Sequence, residues 1–201
     1  MRLPLWLKLG WTAWVLIWAP FYWHYYGLQN FLWFCDLANF FLLAALWLES
    51  PLIFSWQATG LLFFQTLYGI DLVFAWVMSR HVIGGTEYMF DPRIPLLVRL
   101  LSLFHLVTPP LLLWAIRRLG YDKRGWKFQT LSAWLVVPIS YFWRSGYDIN
   151  WARGPFGREQ QAMPGVLYLA LYLVVVPITV YWPTHLALSW WAKRSNRRDE
   201  P

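Results

Sequence analysis

Cys35 and His105 are the two residues of this sequence whose side chains best suit nucleophilic chemistry, and both lie inside long apolar runs. A thiolate is a strong nucleophile, and a neighbouring imidazole activates it and later donates a proton. Such a pair would pass an acyl group through a thioester or hydrolyse it. Without a neighbouring base, a thiol in apolar surroundings is inert and only packs.

Further polar residues would support this chemistry. If the protein is an enzyme, we expect Cys35 to attack an acyl carbonyl and His105 to move the proton. The residues expected to orient the imidazole are Asp36, Asn39 and Asp71, and those expected to contact the substrate are Asn39, Asn150 and Arg153. Asn150 would stabilise an oxyanion, because an amide N–H is a suitable donor to developing negative charge.

The spacing of these residues predicts a shared polar cavity. Asp36 and Asn39 are one helical turn apart, and Gln57 and Gln65 are close to two turns apart. Ser102, His105 and Thr108 form a stripe at intervals of three. Polar side chains within hydrocarbon usually face the interior of a helical bundle. We therefore predict a cavity that opens outward beneath two long loops, residues 79–94 and 144–164.

Composition indicates the elements that must position these residues. Of the 201 residues, 59% are hydrophobic and 13% are charged, against about 25% charged in an average soluble domain. Disorder is excluded by the hydrophobicity, and a disulfide scaffold by the single cysteine. The net charge is +7, but the positive residues lie between apolar runs rather than on one face, which argues against a nucleic-acid partner. The class that fits is an all-α, polytopic helical transmembrane bundle.

About six membrane spans are predicted within one integral membrane domain, because a span needs about 20 apolar residues. They are residues 6–22, 30–48, 52–78, 95–116, 128–143 and 165–191. Gly69 is expected to break the third, and Pro177 and Pro183 to kink the sixth. The first segment has no small-x-small cleavage site after it, which favours a retained span over a signal peptide.

Charge distribution predicts the orientation. With six spans, eleven of the seventeen Lys and Arg residues fall on the side that holds both termini. The positive-inside rule then places both termini in the cytoplasm and the protein in the inner, or plasma, membrane. The 17 Trp and 11 Tyr residues are typical of an interfacial belt.

Other chemistries stay open at this stage. His81, Glu87 and Asp91, with His24, would be the ligands of a metal site, although no close ligand pair is present and no metal is expected. A set of arginines at one predicted interface would bind lipid phosphate, namely Arg93, Arg99, Arg144, Arg153 and Arg158. No cofactor is predicted, because P-loop and dinucleotide motifs are absent.

Two non-enzymatic functions compete with acyl transfer. A membrane subunit or scaffold would use its Trp-rich faces to pack against partner helices or a second copy of the chain, with the polar groups as interhelical hydrogen bonds. A transporter of protons or small solutes would use Asp36, Asp71 and His105 as a proton relay. Membrane lipids are expected partners in every case.

Three short stretches, at residues 32–39, 103–105 and 146–151, resemble in their order the bacterial YwaF-like integral membrane proteins. These are related to transmembrane phospholipid acyltransferases that use an intramembrane Cys and His. The resemblance covers roughly residues 27–188. It implies a polytopic helical fold and acyl transfer by Cys35 and His105. In that family a His stands two residues before the Cys, whereas this sequence has Trp33 at that position.

Overall fold

A computed structural model describes residues 3–143 and 146–198, and the side chains up to Arg194. The described chain is helical and contains no β-strand. The predicted all-α class is therefore confirmed. Arg2 and Arg144, which contributed to the charge count and to the arginine set, lie outside the described residues.

Within the described residues, eight α-helices form the bundle. They are α1 (Leu5–Tyr26), α2 (Phe34–Leu48), α3 (Pro51–Met78), α4 (Leu96–Leu101), α5 (Phe104–Leu119), α6 (Gly125–Phe142), α7 (Gly165–Val176) and α8 (Trp182–Arg198). Short 3₁₀ turns lie between them at Leu28–Leu32, Glu87–Met89, Ile149–Trp151 and Pro155–Gly157. A π-helical turn, Pro177–Tyr181, joins α7 to α8.

Three stretches of the described chain are long and apolar enough to cross a membrane, by length and composition. They are Pro51–Met78, Leu96–Leu119 and Gly165–Arg194, and Phe34–Leu48 is a shorter apolar helix. These stretches identify a candidate membrane protein. The count of six spans remains a prediction.

The breaks in the helices match the predicted ones at Pro177 and differ from them in the third and fourth segments. The predicted break at Gly69 is wrong, because α3 continues through this residue to Met78. The fourth segment is interrupted instead, at Ser102 and Leu103 between α4 and α5. In the sixth, the π-helical turn begins at Pro177, where the missing N–H prevents the regular α-helical hydrogen bond.

Helix α3 is the central element and packs against α2, α5, α6 and α8. Its first turn is capped by Ser50, whose hydroxyl accepts a hydrogen bond from the Ile53 N–H at 3.4 Å. Gly125, at the start of α6, lies so close to α3 that a Cβ would come within 2.6 Å of the Ser55 carbonyl carbon. Only glycine permits this approach.

The connections separate the two ends of the bundle. One end, here called the loop end, holds residues 27–33, 79–95, 143 and 146–164. The other holds the short connections 49–50 and 120–124. Helix α2 begins at Phe34, so Cys35 and Asp36 lie in its first turn at the loop end.

Candidate functional site

A shallow, open groove between α3 and α5 is one of two concave surfaces of about 440 Å³ found among the described residues; the other is lined by Pro20, Trp23 and His24 on α1. The groove is lined by Gln65, Thr66, Gly69, Ile70, Val73, Phe74, His105, Leu106 and Pro109. The groove is open along its side, and its wall is almost entirely apolar. Gln65 and His105 are the two long polar side chains in the lining.

Gln65 is buried in this wall without hydrogen-bond partners. Its side chain is 3% exposed, and neither its Nε2 nor its Oε1 has a partner among the described residues. It is the one residue of the described chain for which two buried side-chain atoms are unpartnered. A buried amide without hydrogen bonds is destabilising by about 1–3 kcal/mol. Such a group therefore requires an explanation, and one explanation is a ligand.

His105 is held in a fixed orientation beside the groove. Its ring stacks on Tyr68, with centroids 4.3 Å apart, and on Phe104, at 4.1 Å. Its Nδ1 lies 2.7 Å from the carbonyl oxygen of Ser102. A carbonyl can only accept, so Nδ1 carries the proton. Nε2 of the neutral ring is then a hydrogen-bond acceptor.

The break before α5 and two prolines shape the other wall. Ser102 and Leu103 interrupt the helix just before His105. Pro109 and Pro110 have no N–H to donate to the carbonyl groups of His105 and Leu106, four residues earlier. Opposite them, Gly69 presents no side chain, and a Cβ there would lie 3.3 Å from Leu106 Cδ2. The groove follows from these local departures from a regular, well-filled helix pair.

The structure does not join Cys35 to His105 by a hydrogen bond in the described chain. Cys35 packs against two apolar clusters, one of which includes Trp18 and Phe104. It lies near Tyr22 and Tyr68. The predicted nucleophile and base therefore lie in the same part of the bundle without contacting through polar atoms, and their catalytic roles stay predictions.

Asp36 and Asn39 have partners within the fold. Asp36 is buried and accepts a hydrogen bond from Asn30 Nδ2. The Asn39 side chain accepts from Trp14 Nε1 and donates to the Cys35 carbonyl, both at 3.1 Å. These contacts tie α2 to α1 and to the turn before it. Among the described residues, no hydrogen bond joins either of them to His105.

Asp71 organises the loop that follows α3. Its Oδ1 accepts from three successive backbone N–H groups, of Val82, Ile83 and Gly84, at 2.8–3.0 Å. Its Oδ2 accepts from the Thr86 hydroxyl and lies 3.0 Å from His81 Nδ1. We call this arrangement the Asp71 clasp. Successive N–H groups directed at one anion form a concave anion-binding nest, here filled by the protein's own carboxylate.

Asn150 joins the loop end to the start of α2. Its Oδ1 accepts from the Phe34 N–H at 3.0 Å, and its Nδ2 donates to the Leu32 carbonyl at 2.7 Å and to Ser140. Its backbone has a φ of +56°, which asparagine tolerates better than most residues. The amide predicted to stabilise an oxyanion is thus engaged within the chain.

Arg153 lies in a turn fixed by Asp148. The Asp148 carboxylate accepts from the N–H groups of Arg153 and Gly154. Burial raises the pKa of Asp148. The Arg153 guanidinium donates to the Trp143 carbonyl at 3.5 Å, while its buried Nε has no partner in the described chain.

A hydroxyl network at the loop end was not among the predicted site residues. The Tyr22 hydroxyl contacts Ser102 Oγ, and the Tyr88 hydroxyl, which also lies near Ser102, is 2.8 Å from the Tyr68 hydroxyl. Burial raises the pKa of Tyr88, which lies in the loop. The network fixes the position of Tyr68, and so the ring on which His105 stacks.

The acidic and basic loop residues pair locally. Arg93 donates to Asp91, and these hydrogen bonds hold the pKa of that carboxyl at about 2. Glu87 accepts from the Gly85 N–H. His81 is engaged with Asp71. Within residues 3–143 and 146–198, no group of three His, Cys, Asp or Glu side chains is arranged to hold a metal ion.

Sequence reasoning placed Gln65 on a polar stripe of the third segment and did not include it among the site residues. A signal was present, because a glutamine in the middle of an apolar run needs a partner. Gly69 on the same segment and Pro109–Pro110 on a neighbouring one are the residues that open a groove. What spacing did not show is that the two segments are neighbours.

Comparison with known proteins finds no matching family model, no matching curated protein and no matching solved structure. The resemblance to YwaF-like proteins accordingly stays a prediction. Function has to be argued from the groove and its surroundings.

Proposed function

We propose that this protein is an integral membrane protein that binds the hydrocarbon chain of a lipid in the groove between α3 and α5. We also propose that it lies in the inner membrane with both termini in the cytoplasm, as the distribution of Lys and Arg favours. The loop end then faces outward. The lipid would enter sideways from the bilayer.

The apolar rim of the groove supports this proposal. Ile70, Val73, Phe74 and Leu106 line the groove and are each 41–52% exposed. On a soluble protein a contiguous patch of this kind would favour association. In a bilayer the same side chains contact lipid tails without cost, and a tail that enters the groove exchanges one apolar neighbour for another.

The observation that carries the proposal is the unpartnered amide of Gln65 in the wall of this groove. Gln65 lies fourteen residues after Pro51 and thirteen before Met78, at the middle of the spanning helix α3. No water is at hand at that depth of a bilayer to satisfy the amide. Both polar atoms of the amide are covered by neighbouring side chains, so a lipid with a polar group near its chain would supply the missing hydrogen bonds once its entry uncovers the amide.

Acyl transfer by Cys35 and His105 receives no such support. Nucleophilic catalysis places nucleophile and base within hydrogen-bond reach, about 2.6–3.2 Å apart. Here Nδ1 of His105 donates to the Ser102 carbonyl, and among the described residues no hydrogen bond joins His105 to the Cys35 thiol. We therefore place lipid binding ahead of catalysis.

The experiment is photolabelling in lipid nanodiscs with a fatty acid that carries a diazirine in mid-chain. The labelled peptides are mapped by mass spectrometry. We expect label concentrated on the segments of α3 and α5 that line the groove. Gly69→Leu should reduce this labelling about tenfold, because the new side chain projects into the groove.

The matched control is Gly10→Leu on α1, where a Cβ meets nothing within 4 Å. It should leave the labelling of α3 and α5 unchanged. Labelling spread evenly over the lipid-facing helices, or unaffected by Gly69→Leu, would overturn the proposal. Orientation is tested separately in a Cys35→Ser background, with single cysteines at Gly85 and Lys123. Only the first should react with an impermeant thiol reagent added outside intact cells.

A further inference from the structure

The geometry points to a specific class of ligand, an uncharged lipid whose polar group both donates and accepts a hydrogen bond through an O–H. A long-chain alcohol and a protonated fatty acid share this chemistry. The inference rests on the proposed lipid-binding function. It goes further by naming what Gln65 and His105 select.

The polar part of the groove wall offers both donors and acceptors. The Gln65 amide has two N–H donors and a carbonyl acceptor, and neither its nitrogen nor its oxygen has a partner among the described residues. His105 lines the same groove, and its Nε2 is an acceptor because Nδ1 donates to Ser102. A ligand must therefore bring a proton to donate as well as an oxygen to accept.

A charged headgroup does not fit this wall. The nine residues that line the groove include no Lys or Arg. A phosphate or carboxylate would face acceptor oxygens with no cation to balance its charge. Gln65 also lies at the middle of α3, where an uncompensated charge within hydrocarbon is most unfavourable.

An ester or ether does not fit either. Its oxygens accept hydrogen bonds but donate none, so the Gln65 carbonyl and the imidazole would remain unsatisfied. Each buried acceptor that remains without a donor lowers the affinity for the ligand, because it has lost its hydrogen bond to water and gained none in return. An O–H group resolves this by accepting from Gln65 Nε2 and donating to one of the acceptors beside it.

The test is competition against the mid-chain diazirine probe in nanodiscs, with hexadecan-1-ol, palmitic acid and methyl palmitate as competitors, at pH 5.5 and pH 9. We expect hexadecan-1-ol to compete equally at both pH values. Palmitic acid should compete at pH 5.5 and lose about tenfold at pH 9. Methyl palmitate, which cannot donate, should be at least about tenfold weaker than the alcohol throughout.

The two sources of the O–H group are distinguished by which of the alcohol and the acid competes at the lower mole fraction at pH 5.5. The inference is overturned if methyl palmitate competes as well as hexadecan-1-ol, or if ionised palmitate competes best. In that outcome groove labelling persists, so the proposed function survives. If no compound labels or competes at the groove, the proposed function itself fails.

Variants connect this selectivity to Gln65. The Gln65→Leu variant should still bind the hydrocarbon chain, but its preference for hexadecan-1-ol over methyl palmitate should fall by at least about threefold, because only the His105 acceptor remains. Gln65→Met, which preserves side-chain length, provides a second variant should Leu impair folding. The control is Gln57→Leu, a buried glutamine two turns earlier on α3 that does not line the groove. It should preserve the preference for the alcohol, and loss of that preference would contradict the assignment to Gln65.

Discussion

Asp71 and Gln65 lie six residues apart on the same helix, α3, and both are buried, yet their surroundings are opposite. The Asp71 carboxylate accepts from three backbone N–H groups and a hydroxyl, and lies against His81. The Gln65 amide has no partner in the described chain. The first site is complete within the protein, and the second is not.

This contrast separates a structural polar residue from a binding one. A buried polar group whose hydrogen bonds are satisfied rigidifies the fold and has no capacity left for a ligand. A buried group with unsatisfied donors and acceptors is costly until something binds it. The carboxylate suspected of proton relay and catalysis thus holds a loop, while the amide marks the groove.

The Asp71 clasp should show the largest effect on stability. We expect Asp71→Ala to lower the free energy of unfolding by about 3 kcal/mol, because it leaves the buried Thr86 hydroxyl and three partly buried backbone N–H groups without their acceptor. Unfolding is measured by denaturant titration in detergent micelles. Asp91→Ala, at an exposed ion pair, is the control and should be close to wild type. Unchanged stability of Asp71→Ala would show that the loop is held by other contacts.

Replacing Asn150 should have the second-largest effect on stability. Asn150→Gly retains the freedom for positive φ but removes the bonds to Phe34 and Leu32, and we expect a loss of about 2 kcal/mol. Asn150→Ala should lose more, since alanine also adds strain at a φ of +56°. The same titration measures both variants. If the two are equal to wild type, the link between the loop end and α2 contributes nothing.

Replacing Gln65 should have the opposite effect and stabilise the protein. In detergent without added lipid, Gln65→Leu should raise the free energy of unfolding by about 1 kcal/mol, since it removes an unsatisfied buried amide. Asn39→Leu, at a satisfied amide, should instead destabilise the protein. A destabilised Gln65→Leu would mean that the amide is paired in the protein, which would remove the contrast with Asp71.

The smallest effect of any substitution is expected at Cys35, and it is measured on lipid labelling of the groove. Cys35→Ser should leave groove labelling unchanged, because the thiol packs among apolar side chains rather than lining the groove. Intact-protein mass spectrometry after incubation in phospholipid liposomes provides the check on acyl transfer. A hydroxylamine-sensitive acyl adduct on the wild type alone would restore Cys35 and His105 as a catalytic pair.

Sequence by itself determined the class of this protein and most of its helices. Apolar runs of spanning length and few charges leave little alternative to a helical bundle, because every backbone group must be satisfied without water. The third and sixth segments were predicted to within a residue at their starts, where Pro51 follows Ser50 and Gly165 follows Pro164. The polar residues were also found, since they are conspicuous in an apolar chain.

What the tertiary structure alone decided is which of those polar residues are satisfied. Asp71 finds its partners in a loop ten to fifteen residues later, and Asn150 finds its own more than a hundred residues earlier. Helical spacing predicts which side chains share a face of one helix. It does not predict which helices become neighbours or where a break such as Ser102–Leu103 opens a groove, because those depend on how side chains of distant segments fill the space between helices.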